Sequence, residues 1–446
     1  MASRRRVSRH PSQPRGMQRR DFLKLTGGVA GASMLGACAG FGGGDDSGGG
    51  SGDSGSLVFA FGADDLLPSL FKQFEEEKGI KVNYQVQPAD TGQYFDKLRT
   101  EFQAGTGAID ILAGDVIWPA QFAASGYITD LTDKFTNPDD YLGGPIAANT
   151  YQGKLYGVPF FTDAGMLYYR KDLLEKSGIK EPPTTYYDLY EMAEQVQGES
   201  NLRFGYVFQG ANYEGGVVNG CEYIWNHGGD ILNPEDPTEV VIGSPEAIAG
   251  LEAYRESVDA GVAPEAVAAY KEPESQAAFL NGDSVFMRNW PYIFGLLPDP
   301  KESKIKPEQV DVSPLPVSES GVDSSSALGG WNFMINADSD KQDEAWELVQ
   351  FLSTPEIQKQ FALKESLLPT LSALYEEEDI INKLPAVKLG GEAVKNSRPR
   401  PVSAYYSDMS LELAEGYNNA LKGEVAADEA VTTIEESLQS IIEQGS

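Results

Sequence analysis

The sequence predicts an α/β fold with a mainly parallel sheet, spread over two or more lobes, and three observations carry this. From Leu57 onward, short apolar runs of strand length alternate with stretches whose apolar residues recur at helical spacing. The chain has 446 residues, 41% of them hydrophobic, enough to bury a sizeable core in more than one lobe. Late in the chain, Pro298, Pro300, Pro307, Pro314 and Pro316 break regular structure for some twenty residues, where the chain would leave one lobe for the other.

Each element follows from its residues. Residues 39–56 are almost entirely Gly, Ser and Asp, a composition that buries no core and acts as a flexible spacer. Leu57–Phe61 reads as a buried strand, and Asp65 caps a helix with Leu66, Leu67, Leu70, Phe71 and Phe74 on one stripe. Ile80, Val82, Tyr84 and Val86 alternate as a second strand. A helix with Phe95, Leu98 and Phe102 inward precedes a third strand, Ile109 to Leu112, ending at Gly114-Asp115. From Tyr168 to about Gly321 the share of helix rises. Ala247–Ala260 places Leu251, Tyr254 and Val258 at turn spacing, and a further helical segment lies around Ala277–Leu280. Trp331–Ile335 reads as a strand. Asp343–Leu352 reads as a helix with Ala345, Leu348, Val349 and Leu352 inward, which makes Trp346 ordinary core. No short repeat is visible.

Charge narrows the function classes. Residues 1–37 hold eight of the 35 Lys and Arg and one of the 67 Asp and Glu, leaving 27 cations against 66 anions, a net −39. Such a surface repels phosphate backbones and anionic headgroups, which argues against nucleic acid and direct membrane-surface binding as functions. Apart from Cys38 the only cysteine is Cys221, so no intrachain disulfide is expected within the mature body, and Cys221 in an apparently helical run reads as a small buried hydrophobe. His227 is the one histidine beyond the first ten residues. A Ser-His-Asp or Cys-His site would rest on it alone, and a zinc site lacks ligands, so no metal and no cofactor are expected. Its position before Gly228-Gly229 reads as a loop or helix end.

The first 38 residues resemble an address label. Arg19-Arg20 ahead of a short apolar run from Leu25 to Ala37 is similar to a twin-arginine export signal, and Leu35-Gly36-Ala37-Cys38 resembles a lipoprotein box. Gln18 stands where such signals usually carry Ser or Thr. The apolar run is far shorter than the ~20 residues of a spanning helix. The expectation is lipidation at Cys38 and a body tethered to the extracellular face of the membrane, or in the periplasm if an outer membrane is present.

Three further stretches, in order, carry a second resemblance: Leu155-Tyr156-Gly157-Val158-Pro159-Phe160-Phe161-Thr162-Asp163-Ala164-Gly165-Met166-Leu167-Tyr168-Tyr169-Arg170-Lys171-Asp172-Leu173-Leu174, then Met287-Arg288-Asn289-Trp290-Pro291-Tyr292, then Gly329-Gly330-Trp331-Asn332-Phe333. Together they resemble the sugar-binding extracellular solute-binding proteins of ABC transporters. Arg400-Pro401-Val402-Ser403-Ala404-Tyr405-Tyr406 brings the likeness nearest to trehalose/maltose-binding proteins. The resemblance implies a two-lobe, periplasmic-binding-protein-like (type II) fold with a ligand cleft between the lobes. On it, residues 57–162 plus about 325–370 form lobe 1, and residues 163–324 plus about 371–446 form lobe 2. The implied partners are a di- or oligosaccharide and permease subunits, and the implied state is a monomer.

A pyranose has an apolar C–H face and a rim of hydroxyls, so its receptor needs flat aromatic platforms and carboxylate or amide partners. Burying one such side chain's surface contributes roughly 1.5–3 kcal/mol, and each hydrogen bond to an ionised carboxylate about as much. Asp64, Asp65 and Asp115 follow strands, at the sheet edge where clefts of open α/β folds lie. We assign Asp65 to helix capping and Asp64 to ligand; Asp115 suits either role on its residues alone, and the resemblance turns it toward ligand. Asp163 matches a family carboxylate. Trp290 and Tyr292 flank Pro291 in an irregular stretch, and Gly330 lets backbone approach a ligand beside Trp331. Arg400, ahead of Pro401, becomes by the family match a donor to ligand hydroxyls and a brace for the acids. Phe161 stands where relatives often carry Tyr, which removes one hydroxyl from the rim. Glu214 is a further acceptor from the second lobe. Two other classes compete: a secreted glycoside hydrolase with paired carboxylates, which needs neither histidine nor metal, and an adhesin or scaffold with no small-molecule cleft. The chain lacks the phosphate loop of an ATPase.

Overall fold

The computed structural model describes residues 55–88, 90–319, 323–383, 387, 393–394 and 396–445. Cys38, the export signal and nearly all of the spacer lie outside the described residues.

The first apolar run is strand β1 (Leu57–Phe61), buried throughout except at Val58. Burial on both faces is why it reads as a continuous apolar run and not as an alternation. The helix Leu67–Lys78 follows, burying Leu67, Leu70, Phe71 and Phe74 and ending at Gly79, whose φ of 73° is the left-handed cap that glycine supplies without strain. Strand β2 (Val82–Val86) is only half buried, as its alternating sequence predicts, because it lies at the end of its sheet. Asp90 caps the helix Thr91–Ala104 by accepting the Gln93 N–H at 3.0 Å, and β3 (Ile111–Asp115) completes the first unit.

Strands β4 (Thr150–Tyr151) and β5 (Lys154–Leu155) form a small hairpin. The remaining strands are β6 (Val158–Ala164), β7 (Met166–Arg170), β8 (Phe204–Val207), β9 (Ser284–Asn289), β10 (Val310–Ser313), β11 (Ser326–Ile335) and β12 (Ser397–Arg398). One sheet runs β12-β11-β3-β1-β2 with β6 also on β11, and a second runs β10-β7-β9-β8. Only β1 with β2 and β3, β8 with β9, and β11 with β12 pair in parallel; β11 lies antiparallel to β3 and β6, and β7 to β9 and β10. The sheets are therefore mixed and not mainly parallel, because β11 enters the first sheet from the second instead of following a helical crossover. The prolines do not exclude a strand: β10 lies between Pro307 and Pro314, at an edge position where missing backbone donors cost nothing.

Helices Tyr186–Ser200, Glu214–Trp225, Pro245–Asp259, Tyr406–Lys422 and Ala427–Gly445 enclose a core with Tyr206, Phe286, Tyr223, Tyr254, Leu413 and Leu438. Cys221 is buried in it, as predicted, with Sγ 4.0 Å from the Tyr417 hydroxyl. His227 lies past the end of the Glu214 helix, with Nδ1 2.7 Å from the Tyr223 carbonyl. The helix Gln342–Leu352 buries Ala345, Leu348, Val349 and Leu352, while Trp346 is only partly buried. The chain passes between the sheets at Gly165, between β10 and β11, and after β12. These passages lie side by side, since Leu328 pairs with Ala164 and Ala327 with Arg398.

Candidate functional site

Strand β11 sets out the first half of the site. Trp331 is the cross-strand partner of Asp115 on β3 and of Phe161 on β6, so three predicted residues stand in one row. The indole is partly exposed. It stacks on Tyr94 at 6.2 Å and 15°, and meets Phe61 and Trp118 edge-on at 5.1 and 5.6 Å. A ring held on three sides loses little freedom when a ligand covers its remaining face. Beside it the register with β6 slips by one residue, so that Phe160 turns inward onto Phe333 at 4.5 Å while Phe161 keeps its place opposite Trp331.

Gly330 has a reason within the chain itself. Its φ is 120°, and a Cβ there would come within 2.3 Å of the Phe161 carbonyl oxygen and 2.7 Å of Thr162 Cα. The close approach that requires glycine is made by strand β6 of the same chain.

The second half comes from the end of β9. Trp290 is fixed through its backbone, whose carbonyl accepts the Tyr168 hydroxyl at 2.8 Å and whose N–H donates to Asn289 Oδ1 at 2.8 Å. The Arg288 guanidinium lies 4.0 Å from the ring centroid. A Cβ on Gly329 would meet both Trp290 Cζ3, at 3.0 Å, and Asp163 Cβ, at 3.1 Å, so this platform and the acid flank the same bare stretch of β11. Tyr292 donates to Gln276 Oε1 at 3.1 Å, and Tyr213 to Glu272 Oε2 at 2.8 Å. Glu272 and Gln276 are not among the predicted residues; they lie one turn apart on the short helix Glu272–Leu280, which carries no marked apolar stripe.

Arg400 joins the halves electrostatically. Its side chain is 3% exposed, with Nη1 on Glu214 Oε1, Nη2 donating to the Leu328 carbonyl at 3.2 Å, and Nη2 lying 3.8 Å from Asp115 Oδ1. Its Nε finds no partner among the described residues, and the residue lines a small cavity with Val116, Ile117 and Ala148. Glu214 is fully engaged, since Oε1 also accepts the Tyr406 hydroxyl at 2.6 Å and Oε2 accepts Ser410 Oγ. It braces Arg400. Tyr406 belongs to the stretch that carried the family likeness, yet its role depends on a partner nearly two hundred residues away.

The two acids are tuned apart. Burial, offset by Arg400 and reinforced by Glu214, raises the Asp115 carboxyl to about 6. Burial, then repulsion from Asp115, offset by Arg288, raises Asp163 to about 8. Asp163 is therefore biased toward its protonated form near neutral pH.

Asp64 corrects the expected division of labour. Its Oδ1 accepts the N–H groups of Leu66 and Leu67 at 2.9 and 2.7 Å, so Asp64, not the exposed Asp65, caps the helix. Both line an open pocket of about 460 Å³ with Ala63, Leu66, Lys364 and Glu365. Burial first, then Asp64, raises Glu365 to about 8. Among the described residues no cluster of His, Cys, Asp and Glu could hold a metal ion.

The site brings aromatic faces from two sheets against hydrogen-bonding carboxyls and a guanidinium, an arrangement that complements a polyhydroxylated ring. The chain is also similar to proteins already known. A Deinococcus radiodurans protein named "Probable ABC transporter-binding protein" is 33% identical over 347 residues, covering 76% of this chain and 81% of its own. A maltotriose-binding protein of Pyrococcus abyssi is 27% identical over 69% of this chain and 64% of its own. The solved structure of maltose-bound T. maritima MalE3 superposes with a TM-score of 0.80 at 34% identity, covering 86% of this chain and 99% of that one, which shows the two-lobe periplasmic-binding-protein-like fold. The family model for bacterial extracellular solute-binding proteins matches residues 63–359, and the chain belongs to that family.

Proposed function

We propose that this protein captures a di- or oligosaccharide of the maltose or trehalose kind between its lobes and delivers it to the permease of an ABC transporter. The observation that carries the reading is that two indoles meet the same strand β11, Trp331 as the cross-strand partner of Asp115 and Trp290, just past the end of β9, beside Gly329 and Asp163. A ligand touching both platforms binds the closed arrangement better than the open one, so it shifts the population toward closure, and the permease reads the closed shape. Relatives named for maltotriose and maltose support the sugar class. The chain performs no catalysis in this reading: Glu214 is bonded at both oxygens and Asp115 faces Arg400, so both serve as braces and acceptors and not as an acid–base pair.

The proposed lobes are residues 57–162 plus about 325–370 and residues 163–324 plus about 371–446, and the pairing of β12 with β11 favours drawing the last passage nearer Arg398. Cys38 is the proposed lipid attachment, and the protein acts as a monomer; C38A should appear in the culture medium where wild type stays with membranes.

Calorimetric titration with maltose, maltotriose and trehalose tests the function, with chromatography of the mixtures for cleavage products. The expected result is saturable binding of at least one sugar without products. Trp331→Ala should weaken that binding about tenfold or more, the loss of one stacked platform. Wild-type affinity in Trp331→Ala would refute the cleft, and steady sugar cleavage would refute the receptor.

A further inference from the structure

We infer that Arg288 and Glu222 are positioning residues for the sugar site, fixing the Trp290 indole and fastening it to two passages between the lobes. The inference rests on the sugar-binding reading of Trp290.

Neither residue is accessible: their side chains are 1% and 2% exposed. Two charges withdrawn this far from water are costly, and apolar residues of similar volume usually serve stability at least as well. The pair therefore needs a reason beyond stability, and its contacts supply one. Arg288 Nε donates to Glu222 Oε2 at 2.7 Å and Nη2 to Oε1, a two-pronged contact that fixes the guanidinium plane. Gln209 closes another side, accepting from Nη1 at 3.4 Å and donating to the Arg288 carbonyl at 3.1 Å. The guanidinium so held lies 4.0 Å from the centroid of Trp290. A buried cation against an indole resists rotation of the ring, which keeps the ring in one plane before any ligand arrives.

The same pair grips the passages. Glu222 Oε1 accepts the Ala327 N–H at 3.0 Å, where β11 begins. Gly165, between β6 and β7, lies directly against it: a Cβ there would come within 2.3 Å of Glu222 Oε1 and 2.4 Å of Arg288 Nη2. Ser326 Oγ donates to the Gly165 carbonyl at 2.7 Å and ties the two passages together. Trp290, Arg288, Glu222, Gly165 and Ala327 form one contiguous polar and aromatic unit. A sugar seated on Trp290 is mechanically linked to the segments that must twist as the lobes close.

The test replaces the ion pair by apolar residues of similar volume, Glu222→Leu with Arg288→Met, and separately makes Arg288→Lys, which keeps the charge and loses the planar fork. Maltose, maltotriose and trehalose are titrated by tryptophan emission, and compaction on sugar addition is measured by solution scattering. We expect the double variant to unfold cooperatively, to bind its sugar about tenfold more weakly than wild type, and to compact less at saturation. Arg288→Lys shifts the same way and decides the matter if the double variant does not fold. The distinguishing arm is a Trp290→Ala background, in which the pair replacement should cause no further loss of affinity, because it acts through the indole. Wild-type affinity and full compaction in the folded variants would overturn the inference, as would a tenfold loss that persists without Trp290. If wild type binds none of the three sugars, the sugar reading itself fails and this inference falls with it.

Discussion

As a proposed acceptor of sugar hydroxyls, Asp163 should make sugar binding depend on pH in a defined direction. Its carboxyl is raised from the ordinary carboxylate range to about 8, chiefly by burial, so the sugar-free protein in this arrangement should hold a proton there at neutral pH. A sugar hydroxyl donates best to the ionised acid, so binding releases that proton. Below pH 8 each unit of acidification then costs up to about tenfold in affinity, or about 1.4 kcal/mol, and between pH 8 and pH 6 the limit is about a hundredfold. Asp115, ionising at about 6 beside Arg400, adds a second and lower step. The sign for stability is opposite. A carboxyl with a raised folded value binds more protons folded than unfolded, so the sugar-free protein loses stability as pH rises from the ordinary carboxylate value through about 8. Sugar should remove that loss. Calorimetry at pH 6, 7, 8 and 9, repeated in buffers of different ionisation enthalpy, measures both the affinity and the proton released. Asp163→Asn should flatten the dependence above pH 7. An affinity independent of pH between 6 and 8 in wild type, or an unchanged slope in Asp163→Asn, would refute the reasoning.

Two further outcomes follow from the backbone. Asp64→Ala removes the acceptor for the Leu66 and Leu67 N–H groups and should cost about 1 kcal/mol in a denaturant melt, whereas Asp65→Ala, exposed and outside the cap, should stay within about 0.5 kcal/mol of wild type. Gly330→Ala forces a side chain into a left-handed conformation against the Phe161 carbonyl and should cost at least about 3 kcal/mol, read as a lower thermal midpoint; near-wild-type stability would show that β6 is not the reason for the glycine.

The elements that were legible are those whose signal is local. Leu57–Phe61 is found at its predicted bounds, and the helices carrying Phe71, Phe95, Leu251 and Leu348 bury the predicted stripes, because periodicity and burial are two views of one constraint. Strand direction was not legible, since whether β11 runs with or against β3 depends on the route between the sheets and not on its own residues. Nor was β10, where prolines suppress the strand signal without forbidding an edge. The site was legible as a set of residue types near strand ends and Gly-Pro breaks. What could not be read was who holds whom. Asp64 and Asp65 differ by one position along a turn, and only the backbone path decides which oxygen meets the helix. Glu222 and Arg288 are 66 residues apart, and Glu214 and Ser410 are 196 apart, so nothing in either neighbourhood announces the partner. Arg288 was signalled only as a charge just after the apolar residues Val285–Met287 and as a member of the second stretch that carried the resemblance.

Strand β11 serves as a shared spine: its first residues pair with β12, its middle with β6 and its end with β3. Adding or deleting a single residue near Gly329 would turn over the facing of every side chain beyond it against two neighbours at once, exchanging the indole of Trp331 for a residue that points away from the proposed cleft. Change in what this receptor recognises is therefore confined to swaps of residue type along a fixed length. Divergence in chain length has to be absorbed in loops that meet no more than one strand.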